Sequence, residues 1–131
     1  MTTTTSYEEL ETKAQLNSIR EMVETWRSAD VDNDQEALDL ATEAIQEDPL
    51  SVAVRSDWTP AGQRLVAEEY CILLCTGGPA VRMVGDLDSN REPFTAQLQH
   101  QDWGTPWTAF LLTKDEEQDC LTYAQVFDYS S

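Results

Sequence analysis

Hydrophobic positions recur at intervals of three and four along the first third of the chain and at intervals of two along its middle. The pattern therefore predicts a helical part over residues 6–48 and a strand-rich part over residues 50–112. In the first part Leu16, Ile19, Val23 and Trp26, with Met22 alongside, fall on one face at helical spacing and form one buried stripe. Ser6 followed by Glu9 has the form of a capping box, in which each side chain satisfies the other residue's free backbone amide, so the first helix is predicted to start at Ser6. Glu9 with Lys13 and Arg20 with Glu24 stand four apart and are expected to pair on the outer face, at about 0.3 kcal/mol each.

The polar run "SADVDND", residues 28–34, competes for the backbone and breaks that helix, and Asp32 or Asn33 can cap a second one. The second helix is predicted to end near Glu47, because Pro49 disfavours a helical Asp48. Its expected buried face is Ala37, Leu40, Ala41, Ala44 and Ile45. From Leu50 the period becomes alternating: "LSVAVRS" reads as a first strand, and "EYCILLCT", "AVRMVGDL", "FTAQLQHQDW" and "PWTAFLL" follow. Between two of them "GGP" is a hairpin turn, with Gly77 and Gly78 free to take positive φ. Thr113 with Glu116 repeats the capping-box spacing, and Leu121, Ala124 and Phe127 mark a short closing helix over residues 113–128. The expectation is an α+β fold in one domain, 1–131: two N-terminal helices packed on an antiparallel β meander of about four strands, with a short C-terminal helix. The threonine run after Met1 is expected to be a disordered end.

Charge changes this picture more than composition does. The chain has 131 residues, 40% of them hydrophobic, enough for one compact domain with a core. Against 8 basic residues stand 25 acidic ones, a net charge of −17, which repels nucleic acid and anionic membrane and steers towards basic surfaces. The opening "MTTTTSYEELETK" is polar and acidic, unlike a signal peptide, and no run approaches the length of a membrane span. Three cysteines, an odd number without framework spacing, point to reduced thiols. A protein of the cytoplasm is expected.

Catalytic and metal-binding constellations are weak. "CTGGPA" lacks the spaced glycines and following helix of a phosphate loop. Cys71 and Cys75, four apart on a strand, point to the same face but lie about 13 Å from each other by the rise per residue, too far to share one zinc. Cys120 and His100 complete the set of potential ligands, and each cysteine reads as a small buried hydrophobe. His100 reads as a partly exposed strand histidine, and a Cys–His nucleophile pair has no cation or helix end to support a thiolate. "DVDNDQEALDLA" begins like a calcium loop with Asp30, Asp32 and Asp34, but lacks the glycine at its sixth position and the glutamate at its twelfth, where Ala41 stands. No cofactor, no metal and no catalytic residue are expected.

Two features remain. In "QDWGTPW", Trp103 and Trp107 flank a Gly-Thr-Pro turn, and they either anchor that turn on the core or form an exposed hot spot for a protein partner. On a helix Asp32, Glu36, Asp39, Glu43 and Glu47 follow at spacings of four, three, four and four, which makes a single acidic stripe, with Asp48 beyond it. No lysine or arginine occurs from Ser28 through Val54. Like charges at these spacings cost a few tenths of a kcal/mol each, and Glu47 and Asp48 sit at the unfavourable end of the macrodipole. The charges would repeat every ~5–6 Å along the axis, close to the roughly 6–7 Å between phosphates of one nucleic-acid strand. That geometry suits a groove lined with lysine and arginine.

In length, charge, unpaired acidic helix and lack of a catalytic constellation, the chain resembles the nucleic-acid-mimicking inhibitors carried by phages and mobile elements, among them several anti-CRISPR proteins. Residues 70–110, "YCILLCTGGPAVRMVGDLDSNREPFTAQLQHQDWGTPWTAF", are also similar to small proteins of bacterial phages and plasmids. The resemblance implies a binding inhibitor in the host bacterial cytoplasm. Its partner is expected to be a nucleic-acid-binding protein or complex with a basic groove, such as a CRISPR surveillance complex, with no direct contact to nucleic acid or membrane. The alternative is a non-catalytic phage adaptor that binds a protein partner through exposed aromatics.

Overall fold

In the computed structural model, residues 6–129 are described; the threonine run expected to be a disordered end lies outside them. The chain forms α1 (Tyr7–Val31), α2 (Gln35–Glu47), β1 (Ser51–Arg55), β2 (Glu69–Cys75), β3 (Ala80–Asp86), β4 (Gln97–Gln101), β5 (Thr108–Phe110) and α3 (Lys114–Ala124). This is an α+β fold in which the strands make one antiparallel sheet of order β1-β2-β3-β4-β5. The meander has five strands rather than about four, because both the weak "LSVAVRS" run and the short "PWTAFLL" run pair with a neighbour.

Ser6 caps α1, accepting from the Glu9 amide at 3.2 Å, and Leu16, Ile19 and Val23 are fully buried. Two expectations for this helix fail. "SADVDND" does not break it at Ser28, since burial of Ala29 carries the helix on to Val31, and the chain turns only at Asn33, with φ of 55°. The cap of α2 is accordingly Asp34, not Asp32 or Asn33. Nor do the outer-face pairs form as expected. Lys13 and Arg20 reach instead to Glu116 and Asp119 of α3, where partly buried acceptors offer stronger partners than a solvated carboxylate one turn away.

α1 is the central helix. It packs over β3 and β4 and also against α2 and α3, so α2 rests mainly on α1. The buried face of α2 is turned about 50° from the expected one at 100° per residue. Ala41 and Ile45 are buried and Leu38 half-buried, while Leu40 and Ala44 face solvent. The remaining core comes from alternate residues of the sheet, Tyr70, Ile72, Leu74, Val81, Met83 and Leu98, and from Cys120, Tyr123 and Ala124 of α3. A complete capping box between Thr113 and Glu116 starts α3, as expected. The helix stops at Ala124, short of Phe127, whose ring packs edge-on against Tyr123.

Three glycines position the sheet. Gly77 and Gly78, with φ of 104° and 113°, make the predicted turn between β2 and β3. Gly85 sits beneath Tyr70, and a Cβ there would overlap the Thr95 carbonyl and meet the tyrosine ring at 2.7 Å. A bulge between Leu73 and Cys75 then overturns the expected cysteine geometry. Cys71 lies on the face of the sheet away from the helices, but the extra residue turns Cys75 to the helix side, 3.9 Å from a Glu11 carboxylate oxygen.

Candidate functional site

The α2 surface follows from which side of that helix the core takes. Ala41 and Ile45 face inward, and the Trp26 indole N–H of α1 donates to the Thr42 hydroxyl at 3.2 Å, which fixes the roll of α2. On the opposite side Glu36, Asp39, Glu43 and Glu47 fall within about 80° of arc, and all four are exposed. Leu40, 63% exposed, points out among them. Sequence periodicity had placed that leucine inside.

The six predicted acidic residues do not form one uninterrupted helical stripe. Asp32 is exposed but caps the C-terminus of α1 and is separated from α2 by the turn at Asn33. Asp48 caps the C-terminus of α2, and the Tyr123 hydroxyl donates to its carboxylate at 2.7 Å, so this residue ties α2 to α3. Asp39 accepts from the Gln35 amide at 2.7 Å, a neutral partner. Among the described residues no ion pair includes Asp32, Glu36, Asp39, Glu43, Glu47 or Asp48.

The cations of α1 are held elsewhere. Lys13 bonds Glu116 at 3.3 Å, Arg20 bonds Asp119 at 2.8 Å, and Arg27 bonds the other oxygen of Asp119 at 2.6 Å. The Asp119 hydrogen bond raises the Arg20 pKa above its ordinary value. The Thr113 backbone amide, with help from Lys13, holds the Glu116 carboxyl below the usual carboxylate range against the cost of its burial. Three cations of α1 thus neutralise two acids of α3, and α2 keeps its full negative charge.

The tryptophans divide. Trp107 is half-buried on the open face of the sheet, with the Arg82 guanidinium 4.1 Å from its ring centroid. Trp103 is 89% exposed, so it does not anchor its turn on the core. That turn is held instead by Asp102 and Thr105, which exchange backbone and hydroxyl hydrogen bonds. Sequence reasoning missed Trp58, which is 99% exposed in the connection between β1 and β2. The available signal was its setting among turn formers in "SDWTPAG".

No catalytic grouping emerges from the residues weighed for chemistry. His100 is half-buried and faces the helix side, as Cys75 does, but Val81 lies between them in the ladder, so they are about two strand spacings, ~9.6 Å, apart. Burial and the Glu11 carboxylate push the Cys75 thiol pKa up, and burial pushes that of Cys120 up to about 12. Both shifts favour the protonated thiol over the nucleophilic thiolate. Among the described residues no group of three or more His, Cys, Asp or Glu is placed to hold a metal ion, and no helix is long and apolar enough to cross a membrane. No protein-family model, curated protein or solved structure matches the chain.

Proposed function

We propose that the chain is an acidic binding inhibitor that occupies a basic nucleic-acid groove of a larger bacterial assembly and keeps nucleic acid out of it. The observation that carries this reading is the exposed row of Glu36, Asp39, Glu43 and Glu47 on α2, which no cation of the described residues neutralises. From Glu36 to Glu47 the row runs about 16 Å at the helical rise. A solvated surface pair is worth little, but carboxylates desolvated against arginine or lysine in a groove gain strength from the lower dielectric. Leu40 supplies an apolar contact beside that row. The inhibitor acts by occupancy and needs no covalent chemistry. A CRISPR surveillance complex is the target to which the resemblance to anti-CRISPR proteins points, and the site of action is then the host cytoplasm.

The test uses the purified chain and a DNA-binding surveillance complex. Binding is expected to weaken steeply as salt rises and to compete with DNA. Changing Asp32, Glu36, Asp39, Glu43 and Glu47 together to Asn or Gln is expected to cost of order 1 kcal/mol per close contact, so affinity falls by a hundredfold or more. Unchanged affinity and an unchanged salt slope in the folded neutral variant would sink the reading.

One observation favours a second reading. Trp103 is held out in solvent by a hydrogen-bonded turn, which is the setting of an aromatic anchor for a protein partner. Under this adaptor reading Trp103→Ala abolishes partner binding, and the neutral α2 variant binds as the original does.

A further inference from the structure

β1 is an edge strand, paired with β2 on one side only, and all five of its residues are exposed. Its register sets Val52 beside Ile72 and Val54 beside Tyr70, so these two valines face the helix side of the sheet, where their neighbours are in the core. They nevertheless remain 38% and 40% exposed, since α1 lies over β3 and β4 and not over the edge strand. Leu50, Val52, Val54, Trp58, Leu65 and Val66 make up six of the thirteen exposed large hydrophobic side chains among the described residues. Apolar exposure is thus concentrated in one short segment at one sheet edge.

Charge singles out the same segment. From Pro49 to Ala67 the chain carries Arg55 and Arg64 against Asp57 alone, within a chain of net charge −17. Natural sheets blunt their edges with lysine, proline, bulges or inward-pointing charge, and "SVAVR" has none of these within its length. Its single charge, Arg55, is at the end of the strand and pairs with Glu69 of β2.

We propose that β1 pairs edge to edge with β1 of a second copy of this chain, antiparallel about a two-fold axis through Ala53, so that two sheets become one. In that register Val52 lies opposite the second copy's Val54 on the helix side, and Ala53 meets Ala53 and Ser51 meets Arg55 on the open side. Apolar side chains meet apolar ones, and no like charges stand directly opposed. A basic partner of the kind proposed for α2 fits β1 less well, because this segment lacks the acid that would attract it. The inference is independent of the α2 reading, and each dimer would present two acidic helices.

Sedimentation velocity of the full chain over a range of concentrations, at low and at high salt, tests the pairing. The dimer fraction is expected to rise with concentration and to rise several-fold with salt, because screening relieves repulsion between two chains of net charge −17. This sign is opposite to that expected for α2 binding a basic groove, so the two readings fail separately. Val54→Lys, at an exposed position, is expected to weaken dimerisation at least tenfold with an unchanged circular dichroism spectrum. Amide hydrogen exchange over residues 51–55 is expected to slow with concentration in the original chain and not in Val54→Lys. A monomer at every concentration and salt, a dimer untouched by Val54→Lys, or β1 exchange that ignores concentration would each overturn the proposal.

Discussion

The acids of α3 and the acids of α2 are the same residue types on helices that both pack against α1, and the protein uses them in opposite ways. Glu116 and Asp119 are buried, and each grips cations from α1. Glu36, Asp39, Glu43 and Glu47 are exposed, with no ion pair among the described residues. A carboxylate's contribution therefore depends on the helix face that carries it. One set binds the fold together, and the other adds repulsion that the fold tolerates.

This contrast can be broken from the α3 side first. Asp119→Ala removes the acceptor of both Arg20 and Arg27 and is expected to lower unfolding free energy by about 1–2 kcal/mol, less than a fully buried pair would because the arginines are partly solvated. Glu43→Gln on α2, measured in the same denaturant series, should stay within about 0.5 kcal/mol of the original. Equal losses from the two changes would erase the distinction.

Acid tests the α3 side more gently. The folded-state pKa of Glu116 is depressed, so its contribution is present above the unfolded carboxylate value near ~4.3 and is lost as pH falls through the folded value. Thermal unfolding midpoints should thus drop on acidification below about pH 4.5, and Glu116→Gln should flatten that limb.

The smallest effect belongs to α2 itself. Neutralising Asp32, Glu36, Asp39, Glu43 and Glu47 together should leave stability equal or raise it by a few tenths of a kcal/mol per relieved neighbour pair. A clear loss of stability on chemical denaturation would mean that these side chains hold the fold after all.

Much of the architecture was legible along the chain because local rules and tertiary packing agree there. Ser6 and Thr113 start helices where their spacing to Glu9 and Glu116 predicted, and Gly77 and Gly78 turn the chain between two alternating runs. Legibility ended where a long-range contact outweighed a local preference. Lys13 and Arg20 had acceptable partners one turn away, and only the approach of α3 offered better ones. Cys75 followed the alternation of its strand until the bulge turned it over.

For the candidate surface the same division holds, and its reason is geometric. The residue types, their helical spacing and the absence of lysine and arginine from Ser28 through Val54 are properties of the chain, so the sequence by itself determined that α2 would carry acids with no cation of its own. Only the tertiary structure decided how that helix is rolled, because the core accepts Ala41 and Ile45 and not Leu40, and spacing alone leaves several apolar faces within about 50° of one another. It likewise decided that Asp48 bonds Tyr123, that Trp103 stands in solvent while Trp107 lies under Arg82, and that β1 keeps a free edge. Each of these depends on which distant segment arrives beside the residue, and the local pattern does not encode that arrival.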